Sequence, residues 1–157
     1  MLQGSGIASG LVGIDGEMRT FGLHPGGDPW SIAIEEPELD RRTTHSVLAL
    51  QDAAVATSGD YRHWLVAGNR RLSHTIDPRR GAPLLSSPAS VTVVARTCAE
   101  ADAWATALMV LGSKIGGEVA ISRYLNALFL LRGPAGKIHS EAIGPLFGAR
   151  TLLGQTS

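Results

Sequence analysis

A single cysteine, Cys98, among 157 residues rules out an intramolecular disulfide and any cysteine metal cluster. Its thiol reads as a small buried hydrophobe. Aromatic residues make up only 5% of the chain, so a core drawn from the 44% apolar fraction has to be built from Leu, Val, Ile and Ala. A charge excess is also missing, because 14 basic and 14 acidic side chains cancel. Without a basic surplus no nucleic-acid surface is expected, and there is no acidic tail to act as a solvating segment. No window reaches the ~20 apolar residues of a membrane span. The opening MLQGSGIASGLVG has no basic n-region and no long apolar h-region, so it does not read as a signal peptide. Internal repeats at a solenoid period and low-complexity segments are absent as well.

Turn formers are plentiful. Nineteen glycines and eight prolines favour short strands over a helical bundle. The length fits one domain, or half of a larger one. A chain of this size can bury roughly 68–70% of its unfolded surface, so a core is feasible. Ser9 to Leu23 reads as a strand pair turning at Asp15-Gly16, and His24 to Pro29 as a loop. Alternation in Trp30 to Ile34 gives a half-buried strand, and Glu35 to Thr44 reads as an exposed charged connector. Val47 to Gln51 and Ala53 to Ala56 are further strands. Tyr61 to Val66 and Arg70 to Ile76 flank a hairpin turn at Ala67-Gly68-Asn69. Pro78 to Pro88 is a loop, and Val91 to Ala95 a buried strand.

Thr97 and Glu100 form a capping box that starts a helix. Its apolar stripe is Ala101, Trp104, Ala105, Leu108 and Leu111, and Gly112 is a natural stop. A weaker helix spans about Lys114 to Tyr124, interrupted in pattern by Gly116 and Gly117. Ala127 to Leu131 is a last core strand, and 133–157 a mixed tail with room for one more. Strands, then helices, then a strand predict an α+β fold with a mainly antiparallel sheet packed with two helices.

Several polar groups invite chemistry. Asp102 and Thr106 are one helical turn apart, about 40° around the axis. A carboxylate and a hydroxyl so placed offer two hard oxygens to Mg²⁺; the plain alternative is a partly exposed Asp beside a Thr bonded to a helix carbonyl. His74 can take a proton from a hydroxyl nucleophile, or be structural, and Asp77 before Pro78 caps turns in many proteins. Thr57-Ser58-Gly59-Asp60 reads either as an anion-binding nest of backbone N–H groups or as an ordinary turn. Gly13 to Glu17 is a hairpin tip or a place where backbone approaches a ligand. Arg79 and Arg80 could meet a phosphate or remain solvated loop charge. His24, His45, His63 and His139 share no metal-binding spacing and read as surface or packing residues.

Taken together, Leu11–Arg19 (LVGIDGEMR), Ala54–Tyr61 (AVATSGDY), Ser73–Gly81 (SHTIDPRRG), Ser90–Ala95 (SVTVVA) and Ala101–Leu108 (ADAWATAL) resemble the C-terminal half of the ApbE family, the FAD:protein FMN transferases, in order and spacing. The resemblance extends to about Arg132. It implies half of an ApbE-like, T-fold-like domain, with 1–157 a single partial domain. It implies Mg²⁺-dependent transfer of FMN from FAD to a threonine of an acceptor flavoprotein, releasing AMP; FAD hydrolysis to FMN and AMP, or flavin binding by a fragment needing a partner half, are the alternatives. Carried over by position, Asp102 and Thr106 resemble the metal ligands, with Ala105 close by. His74 resembles the base, Ile76 and its neighbour Asp77 lie in a flavin-contacting stretch, and Ser58 and Gly59 belong to a segment near the pocket. A role for Asp77 in orienting His74 is an added inference. Two departures stand out: the family's first half, with its Lys-Gly-Tyr-Ala-type motif, has no counterpart here, and Asp15-Gly16-Glu17 replaces the usual Gly-Gly-Asp. A missing N-terminal half or a homodimer is therefore an expected partner. The compartment stays open, since relatives are often periplasmic or membrane-anchored.

Overall fold

Asp15 and Gly16 both adopt positive φ (52° and 108°), as a two-residue type I′ hairpin turn requires. They join β1 (Gly10–Ile14) to β2 (Glu17–Phe21) in the computed structural model, which describes residues 2–38, 42–61, 64–67, 70–85 and 87–148. Aspartate tolerates this left-handed turn because its short polar side chain bonds locally, so the Asp in place of glycine does not break the hairpin.

A second hairpin follows, β3 (Trp30–Glu35) with β4 (Thr44–Leu50). Next come β5 (Ala54–Gly59), the short pair β6 (Trp64–Ala67) and β7 (Arg70–Ser73), and the two-residue pair β8 (Ile76–Asp77) and β9 (Ala82–Pro83). β10 (Ser90–Ala95), helix α1 (Cys98–Ser122), β11 (Asn126–Arg132), β12 (Ile138–Ile143) and the single turn α2 (Pro145–Gly148) complete the order. β1, β2, β5, β10, β11 and β12 form one six-stranded sheet in that order, every neighbouring pair antiparallel. The α+β expectation therefore matches the structure, and the tail contributes the one extra strand for which it had room.

Alternation along the strands divides the core between the two sheet faces. Val55, Val94, Leu128 and Leu130 meet Ile32, Ile34, Leu48 and Leu50 of the β3–β4 hairpin. Val91, Val93, Ala127 and Phe129 meet Ala105, Leu108, Met109 and Ala120 of α1 on the other face. Thr97 caps α1 by accepting a hydrogen bond from the Glu100 backbone N–H at 3.2 Å. Gly112, at φ 76° and ψ 169°, divides the helix into the two stretches expected. Gly116 serves close packing: a Cβ there would lie 3.0 Å from the Leu108 carbonyl oxygen and 3.4 Å from the Phe129 ring. Among the described residues, no helix is long and apolar enough to cross a membrane.

Three local expectations change. Thr57-Ser58-Gly59 is strand, not turn: β5 runs on to Gly59 and pairs in register with β10. The ladder and a 2.8 Å hydroxyl contact between Thr57 and Thr92 across it outweigh the local turn tendency. The connector after β3 is not wholly exposed, because Pro37 is buried and the Glu36 N–H extends the hairpin by bonding the Thr43 carbonyl. Cys98 is only half-buried, at the first turn of α1. The tip residues Gly68 and Asn69, together with His63, lie outside the described residues.

Candidate active site

β2 pairs with β5 at Met18↔Val55 and Arg19↔Ala54, and Thr20 carries the contact on to Ala53; on the other side the ladder stops before Glu17. The rest of β5, through Thr57, Ser58 and Gly59, keeps β10 on one edge and turns its other edge into the gap. Backbone groups along a strand point alternately to its two edges, so this stretch offers N–H and C=O groups without forming a nest. Of the two readings of Thr57–Asp60, an anion nest or an ordinary turn, neither describes this stretch, which is an open strand edge.

The gap is a cleft of about 430 Å³. Its walls are the β1–β2 hairpin tip, the ends of β3 and β5, the segment before β8, and the first turns of α1. His74, Asp102, Thr106, Ser58 and Gly59 all line it. The volume is in the range of small-molecule sites, ~300–1,000 Å³. The Ser58 and Thr106 hydroxyls are 2.9 Å apart, joining sheet to helix at the cleft wall. Asp102 is exposed one turn earlier on the same helix face. Two oxygens at this spacing suit a hard cation that keeps waters and takes further ligands from phosphate. Among the described residues no three His, Cys, Asp or Glu side chains converge, so a cage built wholly of such protein ligands is not what the site offers.

Three sequence-derived candidates lie away from the cleft lining. Ala105 is completely buried and packs into the core beneath the site, so its methyl offers no ligand atom. Ile76 is 47% exposed, and neither it nor Asp77 lines the cleft. Asp77 is buried, and Arg79 engages both its carboxylate oxygens: Nε donates to Oδ1 at 2.9 Å and Nη2 to Oδ2 at 3.0 Å. The Arg79 backbone N–H adds a third bond to Oδ1 at 2.9 Å. The guanidinium hydrogen bonds first, and the backbone bond second, hold the Asp77 carboxyl below the ordinary carboxylate range. The Asp77 backbone carbonyl accepts from the Arg80 and Gly81 N–H groups at 3.1 and 2.8 Å, and Gly81 closes the turn to β9 at φ 61°. This is the capping role open to an Asp before Pro.

The Asp15-Gly16-Glu17 hairpin tip, one of the stretches expected to approach a ligand, lines the cleft. Glu35, Arg42 and Tyr61 were not anticipated there, and Arg42 lies 3.9 Å from Glu35. Arg132, the last residue of β11, brings one Nη to 2.8 Å from both oxygens of Asp60, and its other Nη reaches the Pro37 carbonyl at 3.4 Å. It thereby ties the end of β5 to the connector that leaves β3. No spacing signal in the sequence joins these residues, because the contact spans 72 positions. His24 packs edge-on against Trp30 at 5.1 Å, in keeping with a packing histidine.

The ApbE family model matches residues 1–129. This chain belongs to the ApbE family. It is 42% identical over 131 residues to the FAD:protein FMN transferase of Vibrio cholerae, covering 83% of this chain and 39% of that protein. It is 36% identical to the Salmonella typhimurium FAD:protein FMN transferase, covering 83% and 37%. The flavin transferase ApbE from Vibrio cholerae superposes with a TM-score of 0.77 at 41% identity, covering 90% of this chain and 44% of the other. The apo flavinyl transferase ApbE of Pseudomonas stutzeri gives 0.78 at 38% identity, covering 94% and 46%. The chain thus spans about two fifths of the length of the relatives it matches.

Proposed function

We propose that this chain carries the reacting end of a flavin transferase: it moves FMN from FAD to a threonine hydroxyl of an acceptor protein and releases AMP. The observation that carries the reading is one cleft lined by a histidine, a carboxylate–hydroxyl pair on a capped helix, and an open strand edge. Phosphoryl transfer needs placement and charge neutralisation more than covalent help from the protein, and these residues supply both.

In this reading His74 accepts the proton of the threonine hydroxyl as its oxygen approaches phosphorus in line. The new oxygen–phosphorus bond forms while the diphosphate bond to AMP breaks, and AMP departs with the bridging oxygen. Asp102 and Thr106 would hold Mg²⁺, which when bound neutralises diphosphate charge and makes AMP a better leaving group. Ser58 fixes the Thr106 hydroxyl through their 2.9 Å contact. Gly59 leaves room for the Tyr61 ring at the cleft wall, and Ala105 keeps the helix seated on the sheet. Ile76 and Asp77 act from beside the cleft, Asp77 by shaping the turn that carries the His74 segment.

The test is a gel assay with FAD, Mg²⁺ and a threonine-bearing acceptor, run on the chain and on Asp102→Ala. Fluorescent flavin on the acceptor, lost or shifted to much higher Mg²⁺ in Asp102→Ala, is the expected outcome. Free FMN and AMP without labelled acceptor would replace transfer with hydrolysis. Flavin binding with neither product would make the chain a binding fragment, a reading favoured by its covering only 39% of the Vibrio relative. An Mg²⁺ titration unchanged in Asp102→Ala would remove the metal assignment.

A further inference from the structure

Two walls of the cleft belong to different sheets. Ala33, Ile34 and Glu35 come from the β3–β4 hairpin, which is a two-stranded sheet of its own. Ser58, Gly59 and Tyr61 come from β5 of the six-stranded sheet and the residues after it. Apolar contacts of Ile32, Ile34, Leu48 and Leu50 with the sheet press the hairpin onto it. Such burial is favourable but non-directional, so the spacing of the two strand ends calls for a directional bond as well.

Arg132 supplies that bond from outside the cleft. It is the last residue of β11, two places from β5 in the sheet. One Nη donates to both carboxylate oxygens of Asp60 at 2.8 Å, and the other donates to the carbonyl of the buried Pro37 at 3.4 Å. Asp60 stands between Gly59 and Tyr61, and Pro37 stands two residues past Glu35, so the guanidinium bridges the ends of both walls. The Asp60 end is anchored in turn. Its N–H bonds the Ala89 carbonyl at 3.1 Å, and the Ala89 N–H bonds the Leu130 carbonyl at 2.7 Å. The Pro37 contact is therefore the joint that locates the hairpin end against a fixed sheet. The Arg132 and Asp60 side chains are 40% and 21% exposed, so solvent screens the pair and its share of stability is small. What the pair contributes is position.

We propose that Arg132 is a positioning residue for the cleft: its guanidinium clasps Asp60 and Pro37 together and sets the gap, between Tyr61 on one wall and Glu35 on the other, that a flavin nucleotide enters. A planar fork serves both partners at once, whereas a lysine ammonium can pair with Asp60 but does not also hold the carbonyl in fixed geometry. His74, Asp102 and Thr106 stand on other segments of the chain, so loss of the clasp leaves the reacting groups in place and weakens FAD binding. That kinetic consequence rests on the transfer reading; the clasp itself does not.

Arg132→Met and Arg132→Lys are compared with the parent chain and with Asn126→Ala. The last removes the oxygen that accepts the Leu146 N–H at 3.1 Å, at the opposite end of β11. Amide exchange is measured without flavin. In both Arg132 variants the Glu36 and Asp60 amides, bonded to the Thr43 and Ala89 carbonyls, should exchange at least roughly fivefold faster, and the amides of residues 102–106 at the parental rate. FAD binding should weaken roughly fivefold or more in both, with the single-turnover transfer rate at saturating FAD and the Mg²⁺ requirement within about twofold of the parent. Asn126→Ala should change none of these. A thermal melt checks that each variant folds. Unchanged exchange at Glu36 and Asp60, a lysine variant that behaves as the parent, a lower transfer rate with FAD binding intact, or an equal loss of FAD binding in Asn126→Ala would each overturn the proposal. A parent chain that binds FAD but labels no acceptor would sink the transfer reading and leave the clasp to stand on exchange and binding. A parent chain that binds no FAD would sink both.

Discussion

The hydroxyls of Ser58 on β5 and Thr106 on α1 stand 2.9 Å apart, the contact by which the sheet edge and the capped helix share one cleft wall. Either hydroxyl can donate. If Thr106 places a lone pair on a cation, its proton still has Ser58 as acceptor, so the pair orients the ligand oxygen without competing for it.

Thr106→Val keeps the shape of the side chain and deletes this hydroxyl. In the proposed mechanism it should lower FMN transfer and raise the Mg²⁺ needed for half-maximal rate by at least about 10–100-fold, the scale on which losing even a ligand's outer-shell partner acts. Ser58→Ala, which leaves Thr106 in place, should produce a smaller shift in the same direction. Mg²⁺ titrations of the three proteins check this. An equal effect from both variants would mean that the hydroxyl pair matters for packing and not for the metal.

His74→Ala should reduce transfer by about 10²–10⁴-fold, the range attributed to a positioned general base. FAD affinity should stay close to that of the parent, because the imidazole acts on the acceptor's proton. Single-turnover labelling of the acceptor, set beside equilibrium FAD binding, separates the two effects. Retained transfer would take His74 out of the base role.

The fold was legible where patterning is local. The Asp15-Gly16 turn, the Thr97 cap, the Gly112 break and the run Val91 to Ala95 each carry their cause within a few residues. So did the partnership of Asp102 with Thr106, since helical spacing alone puts them on one face. What the sequence hid was non-local. Thr57-Ser58-Gly59 has turn composition, yet pairing with β10 more than thirty residues later makes it strand. Arg132 gave no local sign of tying Asp60 to Pro37.

Gly59→Ala tests the packing behind the open edge. A Cβ at this position would lie 2.5 Å from Tyr61 Cε1 and 2.9 Å from Cδ1, and Tyr61 is itself buried. Crowding of this kind costs about 1–3 kcal/mol, and at this chain length each kcal/mol lowers Tm by about 2–4 °C. Gly59→Ala should therefore melt several degrees below the parent. Adding Tyr61→Leu should make the pair less destabilised than the sum of its single changes, because both act on one contact. Additive melting shifts would place the strain elsewhere.

Asp77→Asn tests the charge beside Arg79 without removing the turn, since an Asn side-chain oxygen can still accept the Arg79 backbone N–H. In the folded chain the Asp77 carboxyl titrates below its ordinary value, chiefly because the Arg79 guanidinium hydrogen-bonds the ionised form. Unfolding releases it to titrate near the usual carboxylate value of about 3.9. Between those two values the unfolded state binds the extra proton, so stability falls as pH falls through this window and its contribution is fully present above it. The parent should exceed Asp77→Asn in stability at neutral pH. That margin should shrink once the pH drops below about 4. Urea unfolding of both proteins from pH 7 down to pH 3 measures the margin directly. A difference that stays constant across this range would show that the Asp77–Arg79 pair stabilises through shape alone.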